Sequence, residues 1–181
     1  MALKIGIAGP VGSGKTSLIE SLTNLLKDKY SLAIVTNDIY TTEDANYLKE
    51  HLDLDSNRIT GVETGGCPHT AIRDDISMNQ KAVVELEQKF SPDIIFVESG
   101  GDNISATFSY ELIDYYMYII DVAQGADIPR KKGAGLLFSD LLVVNKTDLA
   151  PYVDVDLDLM KSDVSNNRKN KPSVFISKKD K

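Results

Sequence analysis

Gly9-Pro10-Val11-Gly12-Ser13-Gly14-Lys15-Thr16 satisfies the pattern G-x-x-x-x-G-K-[ST] at every fixed position. Glycines at this spacing let successive backbone N–H groups turn inward around phosphate, and the N-terminus of a following helix adds positive potential. Lys15 then reaches the outer phosphates and Thr16 offers its hydroxyl to magnesium. The expected nucleotide cradle is Gly9, Gly12, Ser13, Gly14, Lys15, Thr16 and Ser17. Lys15 and Thr16 also serve as catalytic candidates, because phosphoryl transfer depends chiefly on positioning and charge neutralisation. Asn145-Lys146-Thr147-Asp148 adds the N-K-x-D pattern that reads a guanine base. The Asp148 carboxylate can accept from both guanine N1–H and the 2-amino group, a donor pair that adenine lacks. Lys146 can lie along the base plane, and Asn145 can fix the loop. GTP and GDP are therefore the expected nucleotides, and an ATP-using small-molecule kinase is the alternative that the phosphate loop alone would permit.

Two acids stand between these motifs. Asp38 follows a strand pattern and could hold magnesium through water or orient the attacking water. Glu98 ends another strand pattern, just before Ser99-Gly100-Gly101-Asp102, where an acid would close a magnesium shell. The plainer role for either is a turn or cap acid. A third feature is Cys67-Pro68-His69, in which the chain's one cysteine and one of its two histidines stand two residues apart, after Gly65-Gly66. A buried cysteine and a helix-start histidine would be the plainer reading. Read as ligands, the two fill half of a four-coordinate site, and a two-fold dimer would supply two sulfurs and two imidazole nitrogens. Square-planar geometry would suit nickel and tetrahedral geometry zinc. A phosphate cradle beside such a pair suggests a nucleotide switch coupled to a transition metal. A metal buffer with a vestigial nucleotide site is the alternative.

Positioning these groups requires strands whose carboxyl ends converge. Apolar, β-branched runs at 3–8, 32–36, 59–63, 94–98, 117–122, 141–145 and 173–176 read as buried parallel strands, with helices expected over 15–28, 43–50, 69–90 and part of 157–168. The fold class is α/β, a doubly wound and mostly parallel sheet flanked by helices, with the site in the loops after the strands. The length of 181 residues suits one domain spanning 1–181. A net charge of −7 argues against generic nucleic-acid binding, which rests on a basic surface. One cysteine allows no internal disulfide, which fits a reducing compartment, and no apolar run is long enough to span a membrane. A cytoplasmic protein is expected. The basic clusters Arg130-Lys131-Lys132 and 168–171 are expected to be solvated faces, the first also a candidate contact for a partner or second protomer.

The phosphate loop, residues 36–45, Gly61-Val62-Glu63-Thr64-Gly65-Gly66-Cys67-Pro68-His69, Glu98-Ser99-Gly100-Gly101-Asp102-Asn103, Ile128-Pro129-Arg130-Lys131 and Asn145-Lys146-Thr147-Asp148 together resemble the UreG family of urease accessory GTPases. The resemblance runs from about Ile5 to Pro151, and the cysteine-proline-histidine element separates it from the similar hydrogenase nickel-insertion GTPases. It implies a nickel metallochaperone that hydrolyses GTP, forms a homodimer when GTP and nickel bind, and passes nickel to apo-urease through other urease accessory proteins. It assigns nickel to Cys67 and His69, and it brings Glu63 beside Asp38 as a magnesium candidate with Thr16 and Glu98. A pull on Glu63 would move the glycine hinge and the metal ligands together. The family's threonine-asparagine element, which helps hold the base, corresponds here to Ile176-Ser177-Lys178-Lys179, and its terminal helix is expected to be absent. With no arginine finger or water-orienting glutamine legible, intrinsic hydrolysis is expected to be slow.

Overall fold

Strands buried on both faces must be covered by helices on both faces, and β2 (Leu32–Asp38) and β4 (Ile94–Glu98) are of this kind, buried along nearly every residue. The computed structural model describes residues 1–66, 68–101 and 106–177. With β1 (Leu3–Ala8), β3 (Ile59–Glu63), β5 (Tyr115–Asp121), β6 (Leu141–Asn145) and β7 (Ser173–Phe175), these strands form one sheet in the order β3-β2-β4-β1-β5-β6-β7. Every neighbouring pair is parallel. Ile7, Ile34, Phe96, Ile119 and Val143 project from one face against α1 (Lys15–Leu26) and α2 (Glu43–His51). Val35, Val97, Tyr118, Ile120 and Val144 project from the other, where α4 (Ser77–Phe90) and α6 (Leu157–Arg168) supply Val83, Leu86, Met160 and Val164. The loops after β1, β2, β4 and β6 thus meet at one edge of the sheet.

Several boundaries differ from those expected. β2 runs two residues past 36 because β3 pairs with it to the end, Asp38 lying opposite Glu63. β5 begins and ends earlier than expected, at Tyr115 and Asp121, its N-terminal part paired with β1. The helix expected over 69–90 is two helices, α3 (Pro68–Arg73) and α4. The break lies at Asp74 and Asp75, whose N–H groups both donate to Thr70 O, while the Asp75 carboxylate accepts from Ser77 N at 3.2 Å. Aspartate side chains that bond nearby backbone compete with helix continuation. A short α5 (Ala134–Phe138) had no legible signal.

The cluster at 168–171 is not a solvated face throughout. Arg168 is 3% exposed, and its guanidinium donates to the carbonyls of Leu136, Ser139, Asp140 and Pro172 and to the Ser139 hydroxyl. The fork geometry of arginine lets one side chain close the ends of α5, β6 and β7 together. Arg130 is half exposed and paired with Asp163 at 3.2 Å. Among the described residues no helix is long and apolar enough to cross a membrane.

Candidate nucleotide and metal site

The turn after β1 is set by glycine conformations that other residues reach only under strain. Gly12 and Gly14 have φ of +75° and +100°. A Cβ on Gly14 would also fall 2.5 Å from the Asn145 side-chain nitrogen. That closeness has a purpose, because Asn145 Nδ2 donates to Ser13 O at 3.0 Å. Lys146 Nζ donates to Gly12 O and, at 3.2 Å, to Asp121 Oδ2. The loop after β6 is therefore laced to the phosphate loop at two points. Lys15 is buried, its Nζ donating to Pro10 O at 3.3 Å, and Ser17 lines the same cleft, which encloses about 470 Å³. Asp148 is half buried on the 3₁₀ turn Thr147–Tyr152, one residue beyond Thr147, whose N–H donates to Ile176 O. Of the Ile176-Ser177-Lys178-Lys179 element, Ser177 is buried, and both lysines lie outside the described residues.

Thr16 gathers the acids. Its hydroxyl lies 2.8 Å from Glu98 Oε1 and 3.2 Å from Asp44 Oδ1. Glu98 is fully buried, and its second carboxylate oxygen, Oε2, has no hydrogen-bond partner. Burial pushes its carboxyl up to about 8, helped by the charges of Asp44 and Asp38 and opposed by Lys15 and the Thr16 hydrogen bond. A raised carboxyl of this kind favours the protonated form, and positive charge beside it would favour the carboxylate. Asp38 accepts from Ile39 N at 2.7 Å and from the Thr41 hydroxyl, and it lines the cleft together with Asp44. Among the described residues no three His, Cys, Asp or Glu side chains are grouped closely enough to cage a metal. Magnesium does not need such a cage, since it binds one or two protein oxygens beside substrate phosphates and water. The unsatisfied Glu98 oxygen beside the Thr16 hydroxyl fits that mode.

Glu63 is exposed at the end of β3, on the strand beside Asp38. Beyond it the pairing continues, Thr64 N donating to Asp38 O at 2.9 Å and Gly65 N to Ile39 O at 3.1 Å. Gly65 then turns through φ +62° toward α3, which carries a half-buried His69. Cys67, Asp102 and Asn103 lie outside the described residues. On the other side of the cleft, a Cβ on Gly101 would fall 2.4 Å from Val11 Cγ2, so the chain after β4 presses on the phosphate loop.

Two site residues escaped sequence reasoning. Asp44 stands in the first turn of α2, six residues after Asp38, and its polar neighbours Thr41, Thr42 and Glu43 give it no distinguishing mark. Asp121 is 2% exposed and holds Lys146. Its one legible signal is that it ends a buried strand, at the sheet edge where sites form.

A parallel sheet whose central strand feeds a glycine loop, a buried lysine and a threonine facing a strand-end acid defines a P-loop NTPase fold. The family model for the CobW/HypB/UreG nucleotide-binding domain matches residues 3–175, and the chain belongs to that family, in its UreG branch. It is 87% identical over 180 residues to the urease accessory protein UreG of Aliarcobacter butzleri (strain RM4018), covering 99% of this chain and 92% of that one. It is 60% identical over 178 residues to UreG of Corynebacterium urealyticum (strain ATCC 43042 / DSM 7109), covering 98% and 87%. The crystal structure of HypB from Helicobacter pylori in complex with nickel shares the fold, with a TM-score of 0.79 at 22% identity over 99% of this chain and 80% of that one.

Proposed function

We propose that this chain is a GTP-hydrolysing nickel metallochaperone for urease maturation, which delivers nickel to apo-urease, together with other urease accessory proteins, through a dimer formed on GTP and nickel. The observation that carries the reading is the backbone pairing of Asp38 and Ile39 with Thr64 and Gly65. It ties the nucleotide cleft to the segment that enters α3, so one displacement can serve both. High identity to proteins named urease accessory protein supports the recipient.

In this reading Asp148 accepts from the guanine edge, and Lys146 and Asn145 keep the base loop on the phosphate loop. The backbone N–H groups from Gly9 to Thr16 and the Lys15 ammonium neutralise the phosphates. Thr16, Asp38 and Glu98 are the proposed magnesium contacts, with Glu63 beside Asp38. When bound, magnesium supplies positive charge at the outer phosphate oxygens. Asp38 orients the water that adds to the γ-phosphorus as the bond to GDP breaks. Intrinsic turnover is slow in this reading. Cys67 and His69 of two protomers are the proposed nickel ligands, with nickel as cargo and zinc the competing ion.

Thermal denaturation with magnesium and GTP, GDP or ATP, followed by nickel titration, tests the reading. GTP and GDP should raise the midpoint while ATP does not. Equal protection by ATP would overturn the guanine assignment in favour of a kinase. Nickel affinity indifferent to nucleotide would leave only a metal buffer.

A further inference from the structure

Two asparagines are buried where β2 packs against α4. Asn37 is 1% exposed and Asn79 0%. Asn37 Nδ2 donates to Asn79 Oδ1 at 2.8 Å and to Glu98 O at 2.9 Å. Asn79 Nδ2 donates to Asn37 Oδ1 at 2.8 Å and to Ala71 O at 2.9 Å. All four amide hydrogens and both amide oxygens are used. Turning either amide over would set donor against donor within the pair and oxygen against a carbonyl at its far end, so the network fixes both orientations. Fully satisfied buried networks are rigid, whereas an unsatisfied member is costly.

The four anchor points are the informative part. Asn37 immediately precedes Asp38, and the Glu98 carbonyl belongs to the residue whose carboxylate meets Thr16. Ala71 is two residues beyond His69 on α3. Asn79 stands in the first turn of α4, after the break that separates the two helices. The segment that carries His69 is thus held at one end by Asp38 and Ile39, through Thr64 and Gly65, and at the other by the amide pair. Both anchors lead back to the strand ends that flank the phosphate cleft. An apolar pair would have packed this face without the desolvation of two amides.

We propose that the Asn37–Asn79 pair is a positioning relay that couples occupancy of the nucleotide site to the placement of α3, and so sets how strongly GTP and nickel favour each other. This rests on the nickel reading of His69. Rigid coupling of this kind acts through a two-arrangement element that both sites bias.

The test is calorimetric nickel titration with and without magnesium and a non-hydrolysable GTP analogue, on the parent and on Asn79→Leu. In the parent the analogue should tighten nickel binding by a factor on the order of ten. In Asn79→Leu that factor should fall to within about twofold of one, while each affinity measured alone stays within about threefold of the parent. Equal coupling in parent and variant overturns the relay and leaves the nickel reading standing, as does a parallel loss of both affinities with their ratio kept. A parent without coupling overturns the nickel-switch reading itself, and the relay with it. A second measurement does not depend on the variant folding. The side-chain NH₂ resonances of Asn37 and Asn79 in the parent should shift when the analogue binds without nickel, and unmoved resonances overturn the relay.

Discussion

At the residue scale the site rests on which atoms can accept and which can donate. A carboxylate at Asp148 only accepts, so Asp148→Asn should exchange guanine for xanthine preference, because the amide can donate to the oxygen that replaces the 2-amino group. Competition binding of GTP and XTP would show it, and unchanged guanine preference would remove Asp148 from the base. Glu98 makes a second expectation. Burial pushes its carboxyl from the ordinary 4.5 up to about 8 in the folded chain. Between these values the folded state holds a proton that the unfolded state has released, so stability should fall as pH rises from about 4.5 to about 8 and level off above. The slope from this group is at most about 1.4 kcal/mol per pH unit. Urea denaturation of the parent and Glu98→Gln across that range should differ by this slope, and parallel profiles would contradict a buried protonated carboxyl.

At the scale of elements, α5, β6 and β7 share one buried cation. Replacing Arg168 by Met keeps much of the stem but removes the guanidinium that donates to the carbonyls of Leu136, Ser139, Asp140 and Pro172, of which Pro172 O keeps the Leu142 N–H and Ser139 O the Lys171 ammonium. Loss of such a network should cost about 2–4 kcal/mol, read as a lower urea midpoint. Arg168 does not line the cleft, so GTP should still raise the melting temperature of the variant by about the parent's increment. Lost protection would mean that the β6–β7 end also shapes the base site.

At the scale of the whole molecule the expectation is joint assembly. If Cys67 and His69 of two protomers complete one nickel site, nickel and a GTP analogue should promote dimerisation together, each tightening the other by the same factor. Cys67→Ala or His69→Ala should remove nickel-dependent dimerisation while monomeric nucleotide binding persists. Glu63→Gln should keep the ligands and weaken their dependence on GTP. Light scattering with each ligand alone and with both separates these cases, and a Cys67→Ala protein that dimerises as the parent does defeats the shared site.

The sequence by itself determined the strands, the α/β class, the phosphate loop and the N-K-x-D motif. Each is a local pattern in which spacing and side-chain chemistry suffice, and so the family resemblance was legible from residues close together in the chain. Tertiary structure alone decided who meets whom. Thr16 and Glu98 are 82 positions apart, Gly12 and Lys146 are 134 apart, and Asn37 and Asn79 are 42 apart. Nothing local distinguishes Asp44 from Glu43, or Arg168 from Lys169, because a polar residue shows its role only when packing supplies its partner. Strand order settles those partners. By placing β4 between β1 and β2, the sheet brings the Glu98 carboxylate to the phosphate loop and its carbonyl to Asn37. That arrangement is fixed by burial on both faces of the sheet, a balance summed over the whole chain that no short segment carries.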